Sequence, residues 1–323
     1  MSVALVGGSG FVGLNIAEVL LARGTPVLLI DRSPPPDEAL AELSALPGTL
    51  TVAIGDVTEP ASVAAALPAR ADAMVLGAAI TAGPEREAAQ PEQILAVNLS
   101  SLPSLLRGAR GRVGRIVNLS SAAAYGRVPG ADPVDETHPV DPVTLYGVTK
   151  FASERVASRL AALWDLDLVS VRLSGVFGPW ERDTGLRDTL SPQCQIEALA
   201  REGRPAILAP ETARDWIYAA DAAEAIASLL AEPSLGDRLF NVSTPRLSTA
   251  LEWGRALARH DPDFVCRLAE AGEAPTVVMP SPPARPPLRT TRIGGATGWT
   301  ARFDLASAAA DTAARRLGVR RVP

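Results

Sequence analysis

Short runs of β-branched and apolar residues recur through the first half of the chain: 3–7 (VALVG), 26–31 (PVLLID), 50–56 (LTVAIGD), 73–79 (AMVLGAA), 115–121 (RIVNLSS) and 168–175 (LVSVRLSG). They are apolar almost throughout rather than alternating, so each is predicted as a strand buried on both faces. Between them, apolar residues return at helical spacing, as in 14–24 (LNIAEVLLARG), closed by its glycine, and in 151–166. Strands alternating with helices predict an α/β fold, a doubly wound parallel-sheet Rossmann domain with helices on both faces. The stretch 33–48 reads as a solvated connection around a short helix.

After about residue 175 the pattern loosens. Residues 177–193 read as a long polar loop, 238–243 as one more strand and 279–292 as a proline-rich connection. Loops of that length usually bind something. The expected organisation is a sheet domain over 1–175, to which the chain returns near 215–243, and a smaller, less regular substrate-binding portion over 176–323.

Composition narrows the classes. A chain of 323 residues can bury a proper core. The net charge of −5 is spread in mixed signs with no basic block, which argues against nucleic acid. No apolar run approaches the roughly 20 residues of a membrane span. Cys194 and Cys266 match no metal spacing, so no metal site is expected, and two thiols suit a reducing compartment. The first residues enter a strand and a glycine turn at once, leaving no room for a signal segment. A cytoplasmic protein is expected.

Candidate chemistry begins at that turn. Gly7, Gly8, Gly10 and Gly13 lie between the first strand and the first helix, with Phe11 and Val12 among them. Small residues there let the backbone approach a pyrophosphate and let helix amides face it. Asp31 ends the second strand, placed to bind ribose hydroxyls and repel a 2′-phosphate. NAD is therefore expected over NADP, although the neighbouring Arg32 could neutralise a phosphate. Asp56 and Val57 follow the third strand, at the adenine end of such a site; Asp56 would look the same as a helix N-cap. Gly77, Ala78 and Ala79 follow the fourth, where a cofactor would pass closely.

Lys150 is the only lysine in the chain; every other basic side chain is arginine. Tyr146 precedes it by four residues on an expected helix, which puts both on one face. Ser121 ends the fifth strand at the carboxyl edge, where doubly wound folds hold ligands. A phenol titrates near 10, too high for an efficient base at neutral pH, and a neighbouring ammonium favours the phenolate. Lysine is small enough to touch a nicotinamide ribose as well; the fork of arginine is not.

These segments, GGSGFVG, NLSSAAAYG (118–126), YGVTK and RDWIYAADAAEAI (214–226), together resemble the extended short-chain dehydrogenase/reductases, or NAD-dependent epimerase/dehydratases. The resemblance runs through GATGWTARFDLASA (295–308). It implies that Ser121 rather than Ser120 is catalytic, that Tyr146 is the base with Lys150 its partner, and that Asn98 lies on a helix near the site. It also implies a homodimer formed through the helix that carries Tyr146. The sugar dehydratases of that family carry an acidic pair directly after the catalytic hydroxyl; Ala122 and Ala123 stand there, which argues against dehydration. Nucleotide-sugar members usually have an asparagine where this chain has Gly175, a glycine- and acid-containing turn where it has LAPETARDW, and a late ribose-binding acid with no counterpart in 284–291. The substrate candidates are then Ser121, Trp180, Arg182, Arg187 and Arg214, since arginine forks take phosphate or carboxylate; Arg182 and Arg187 read equally well as surface arginines, and Trp180 as a loop anchor. The expected activity is NAD-dependent oxidation of a secondary alcohol of a sugar or sugar acid, with a nucleotide-sugar epimerase as the alternative and an inactive NAD-binding protein as a minor one.

Overall fold

The computed structural model describes residues 1–279 and 285–318. Part of the proline-rich connection, 280–284, and the last five residues of the expected substrate-binding portion lie outside the described residues.

Each predicted run forms a strand: β1 (Val3–Val6), β2 (Val27–Asp31), β3 (Leu50–Ile54), β4 (Ala71–Leu76), β5 (Val113–Ser121) and β6 (Asp167–Leu173). Four short strands follow, β7 (Val176–Phe177), β8 (Ala206–Leu208), β9 (Ile217–Tyr218) and β11 (Cys266–Leu268), with β10 (Leu239–Val242) before the last. The main sheet has seven strands in the order β10-β6-β5-β4-β1-β2-β3, all parallel. Successive side chains in a strand point to opposite faces. Val3, Leu5, Val75, Val117 and Val169 meet helices Phe11–Ala22 and Ala219–Ala231 on one face. Ala4, Val6, Met74, Ile116 and Leu168 meet helices Pro60–Ala66, Leu102–Ala109 and Leu145–Trp164 on the other. The chain order reverses between β1 and β4, which opens a crevice at their carboxyl ends.

A second cluster, around Phe177, Ile196, Trp216 and Trp253, lies outside this sheet. It is built from helices Pro192–Arg201, Ala250–Ala258 and Leu305–Arg316, with β7 paired to β9 and β8 to β11.

Candidate active site

The glycine turn leaves β1 and enters the first helix. Gly7 has φ of +78°, and a Cβ there would lie 2.5 Å from the backbone nitrogen of Ala78. Only glycine lets the turn press against the chain leaving β4. Gly10 is the N-cap and makes no side-chain cap bond, so the first-turn amides of Phe11, Val12 and Gly13 are left uncapped, as an anion requires. The hydroxyl of Ser9 is buried without a partner among the described residues. Asp31 accepts from the amide of Ser9 at 3.0 Å and of Arg32 at 2.8 Å. Burial pushes its carboxyl above the ordinary value, against the opposing pull of those amides. Arg32 itself is exposed. The close turn, the open helix end, the unpaired Ser9 hydroxyl and an acid at the end of β2 fit a dinucleotide.

Further along the edge, Asp56 accepts from the amide and hydroxyl of Thr58 at 2.8 and 2.7 Å, which hold its carboxyl below the usual range. It does not cap the following helix, whose N-cap is Glu59. Val57 beside it is buried in the core. The amide of Gly77 donates to Val6 at 2.8 Å, which holds Gly77, Ala78 and Ala79 beside the glycine turn. Asn98 sits in a π-helical turn, Ala96–Ser100, a distortion frequent at functional sites. Its side chain accepts from the amide of Ile80 at 2.8 Å and donates to the Ile80 carbonyl at 3.0 Å and to Thr149 at 3.2 Å. Asn98 is thus committed to fixing the chain after β4 against the helix that carries Tyr146.

Ser121 ends β5 in register with Leu173 of β6, and its Oγ accepts from the amide of Ala123 at 3.1 Å. The Leu145–Trp164 helix is capped by Thr144, which accepts from Gly147 at 3.0 Å. It starts directly against the turn after Ser121, where a Cβ on Gly147 would lie 2.6 Å from the Ala123 carbonyl oxygen. Lys150 is buried; its Nζ donates to the Leu119 carbonyl at 2.7 Å and lies 5.8 Å from the centroid of the Tyr146 ring. Ser121, Tyr146 and Lys150 are thereby gathered at one strand end, with Tyr146 half-buried.

One turn further on the same helix face, Glu154 takes Nε and Nη2 of Arg172 at 2.9 and 2.7 Å and the hydroxyl of Ser120. This buried pair pins the helix to β5 and β6, and removing either partner would leave an uncompensated charge costing about 3–5 kcal/mol. The sequence reading missed it. The available signal was a carboxylate four residues after Lys150, continuing the Tyr146, Lys150 stripe.

The loop after β7 distributes its candidates unevenly. Trp180, at φ +68°, packs against the core under the first helix and donates to Glu18 at 2.9 Å. Arg182 donates to the Ser9 carbonyl at 2.7 Å, so it lies against the glycine turn. Arg187 is held by the buried Glu181 at 2.7 Å, and Glu181 also takes the amide and hydroxyl of Ser191. Asn15 donates to Pro179 at 2.8 Å, and the amide of Thr81 donates to Leu186 at 2.8 Å. The loop therefore ties the cofactor turn to the segment after β4. Arg214 is different: its guanidinium makes no hydrogen bond or ion pair among the described residues, and burial pulls it below its ordinary value. Next to it, Arg285 grips Asp215 with two bonds, at 3.0 and 2.9 Å. Burial pushes the Cys194 thiol up to about 12 and that of Cys266 up to about 11, so both stay neutral.

Comparison with known proteins agrees with this geometry. The model of the NAD dependent epimerase/dehydratase family matches residues 3–243. A dTDP-6-deoxy-L-talose 4-dehydrogenase (NAD(P)(+)) of Kitasatospora kifunensis is 27% identical, the match covering 95% of this chain and 92% of that protein. A D-erythronate dehydrogenase of Cupriavidus necator is 29% identical over 80% of this chain and 82% of its own. The solved structure of MoeE5 in complex with UDP-glucuronic acid and NAD superposes with a TM-score of 0.75 at 24% identity, covering 98% of this chain and 100% of that one. The chain belongs to the NAD-dependent epimerase/dehydratase family, enzymes of the extended short-chain dehydrogenase/reductase type whose cofactor is NAD.

Proposed function

We propose that the protein is an NAD-dependent dehydrogenase that oxidises a secondary alcohol of a sugar or sugar acid. The observation that carries this reading is the convergence of Ser121, Tyr146 and Lys150 at the end of β5, followed by Ala122 and Ala123 where a dehydratase needs acids. Two relatives are dehydrogenases of this kind, one of a nucleotide-linked deoxysugar and one of a four-carbon sugar acid. The uncapped amides of the first helix, Ser9 and Asp31 would hold NAD, which supplies the hydride acceptor when bound. The rest falls to side chains. Ser121 hydrogen-bonds the substrate hydroxyl and orients it toward Tyr146, which removes its proton. Lys150 is fixed by the Leu119 carbonyl with its Nζ 5.8 Å from the centroid of the Tyr146 ring. Arg214 offers an uncommitted fork to a phosphate or carboxylate of the substrate.

The epimerase reading is favoured by one observation: the 178–191 loop is bonded to both the glycine turn and the segment after β4, which suits an enzyme that keeps its cofactor between turnovers. A panel of aldoses, aldonic acids and nucleotide sugars separates the two. A dehydrogenase accumulates NADH with ketone product. A C4 epimer appearing without NADH decides for the epimerase, and no turnover of any member overturns both.

Val148 and Leu163 of the Tyr146 helix are 43% and 56% exposed, an apolar face suited to a homodimer. Light scattering at micromolar concentration should give twice the chain mass; a monomer would refute the dimer.

A further inference from the structure

Beyond β6, polar side chains from three different elements are buried without partners among the described residues: the hydroxyl of Ser174, the indole N–H of Trp216, and both polar atoms of the Gln193 amide. Gln193 is 1% exposed and Trp216 7%.

Their neighbourhoods are joined through one aromatic cluster. Ser174 follows Leu173, the register partner of Ser121, so it lies at the same sheet edge as the reacting groups. At the next residue, Gly175, a Cβ would be 2.5 Å from Cε3 and Cζ3 of Trp216, so the indole edge covers the chain just past Ser174. Gln193 stands in the first turn of the Pro192–Arg201 helix, two residues after Ser191, whose amide and hydroxyl donate to Glu181 of the preceding loop. Its backbone carbonyl accepts from the indole N–H of Trp253 at 3.2 Å. Trp253 in turn meets Phe177 edge-on, with centroids 5.0 Å apart, and Phe177 is two residues past Gly175. Trp216, Phe177, Trp253 and Ile196 belong to one cluster.

A fully buried amide with no partner for either polar atom among the described residues is a poor choice for the protein alone. Leucine or methionine fills a similar volume and leaves no donor or acceptor unmatched. The groups also share a chemistry: all are neutral, and together they supply donors and acceptors but no charge. That set matches sugar hydroxyls rather than a carboxylate or phosphate, which only Arg214 nearby could answer.

We propose that Gln193 is a specificity-determining residue of the site: its amide exchanges hydrogen bonds with neutral hydroxyls on the carbon skeleton that bears the reacting alcohol. The idea rests on the dehydrogenase or epimerase reading above, because it needs a polyhydroxylated substrate at this edge.

The test uses Gln193→Leu and Gln193→Met in the full chain, with two readouts. The first needs no substrate. Removing an amide that has no partner in the protein should raise the melting temperature of the cofactor-free enzyme by about 2–4 °C; a fall in both variants means that the amide is bonded within the protein or to a buried water, and overturns the proposal. The second takes the aldose, aldonic acid or nucleotide sugar that the parent turns over best. There kcat/KM should fall at least about tenfold while the Kd for NAD stays within about twofold. Unchanged kcat/KM in a folded variant also overturns it. If the parent turns over no member of the panel, the proposed function fails on its own account, and the direction of the melting shift still decides for or against an amide held for a ligand.

Discussion

At the end of β5, Lys150 reaches the Leu119 carbonyl, Asn98 reaches Ile80 and Thr149, and Glu154 reaches Arg172 and Ser120. A few residues beyond β6, Ser174, Gln193 and Trp216 are as deeply buried and reach nothing among the described residues. Apart from Nη1 of Arg172, the groups just named in the first region are bonded by the protein to itself, and their geometry is set before any ligand arrives. Proton removal by Tyr146, as proposed above, would demand such a fixed geometry, since a misplaced base loses most of its advantage. The second region keeps hydrogen-bonding capacity in reserve, as a site must if it is to distinguish one polyol from another. An unpaired buried group penalises every ligand that fails to answer it. On the proposed function, chemistry and recognition would thus fall to differently built parts of one sheet edge.

The largest expected effect tests the self-bonded region. Lys150→Arg keeps the charge but replaces a compact ammonium with a wide fork in a space bounded by the Leu119 carbonyl and the Tyr146 ring. It should lower kcat/KM by a hundredfold or more, about 2.7 kcal/mol of transition-state stabilisation. Circular dichroism should stay native. Tyr146→Phe should lose at least as much. Activity of the arginine variant within about threefold of the parent, measured by steady-state kinetics, would remove the lone lysine from the mechanism.

Much of the self-bonded region was legible in the sequence, and little of the other. Strands covered on both faces leave a continuous apolar run, and a helix face repeats every three to four residues, so spacing put Tyr146 and Lys150 on one face and a serine at the strand's carboxyl edge, while the family resemblance chose Ser121 over Ser120. Loop paths carry no such period. Trp180 and Arg182 read as substrate candidates because their loop was polar and long. Their partners, Glu18 and the Ser9 carbonyl, are more than 160 residues earlier in the chain. Gln193 gave no local sign, because in a helix's first turn a glutamine is ordinary. Only its near-complete burial with neither amide atom partnered among the described residues makes it unusual.

The next effect probes how firmly the recognition region is held. Gly175→Ala places a methyl 2.5 Å from the Trp216 ring, which must shift. In the parent this overpacking should cost about 2 kcal/mol of stability in urea unfolding. In a Trp216→Leu background the same change should cost little, giving a coupling above about 0.5 kcal/mol. Equal costs in both backgrounds would mean that the indole is not fixed over the chain, and the contrast between the two regions would lose its clearest structural support.

At the cofactor turn the contrast is milder, because Asp31 is bonded by two amides and still has lone pairs to offer. NAD should bind at least about tenfold more tightly than NADP, roughly 1.4 kcal/mol. Arg32 and Arg182 stand close enough to soften the penalty for a 2′-phosphate. Titration of both cofactors measures the ratio. Equal affinities would show that the two arginines outweigh the carboxylate.

The smallest effect asks whether the later region is loosely bonded throughout or only around Gln193. Asp304 begins the Leu305–Arg316 helix with a capping box, accepting from the amide of Ser307 at 2.8 Å while the Ser307 hydroxyl accepts from the amide of Asp304 at 2.9 Å. The bonds from Ser307 hold its carboxyl below the usual range. A depressed folded-state value means that the stabilisation is present above the ordinary carboxylate range and is lost as pH falls through the folded value. Asp304→Ala should therefore cost about 1 kcal/mol near neutral pH, and the gap between variant and parent should narrow as the pH is taken well below about 4. A variant as stable as the parent at neutral pH would mean that even well-formed caps contribute little here. The unpaired amide of Gln193 would then be one loose contact among several, with no special claim as the place where substrate is read.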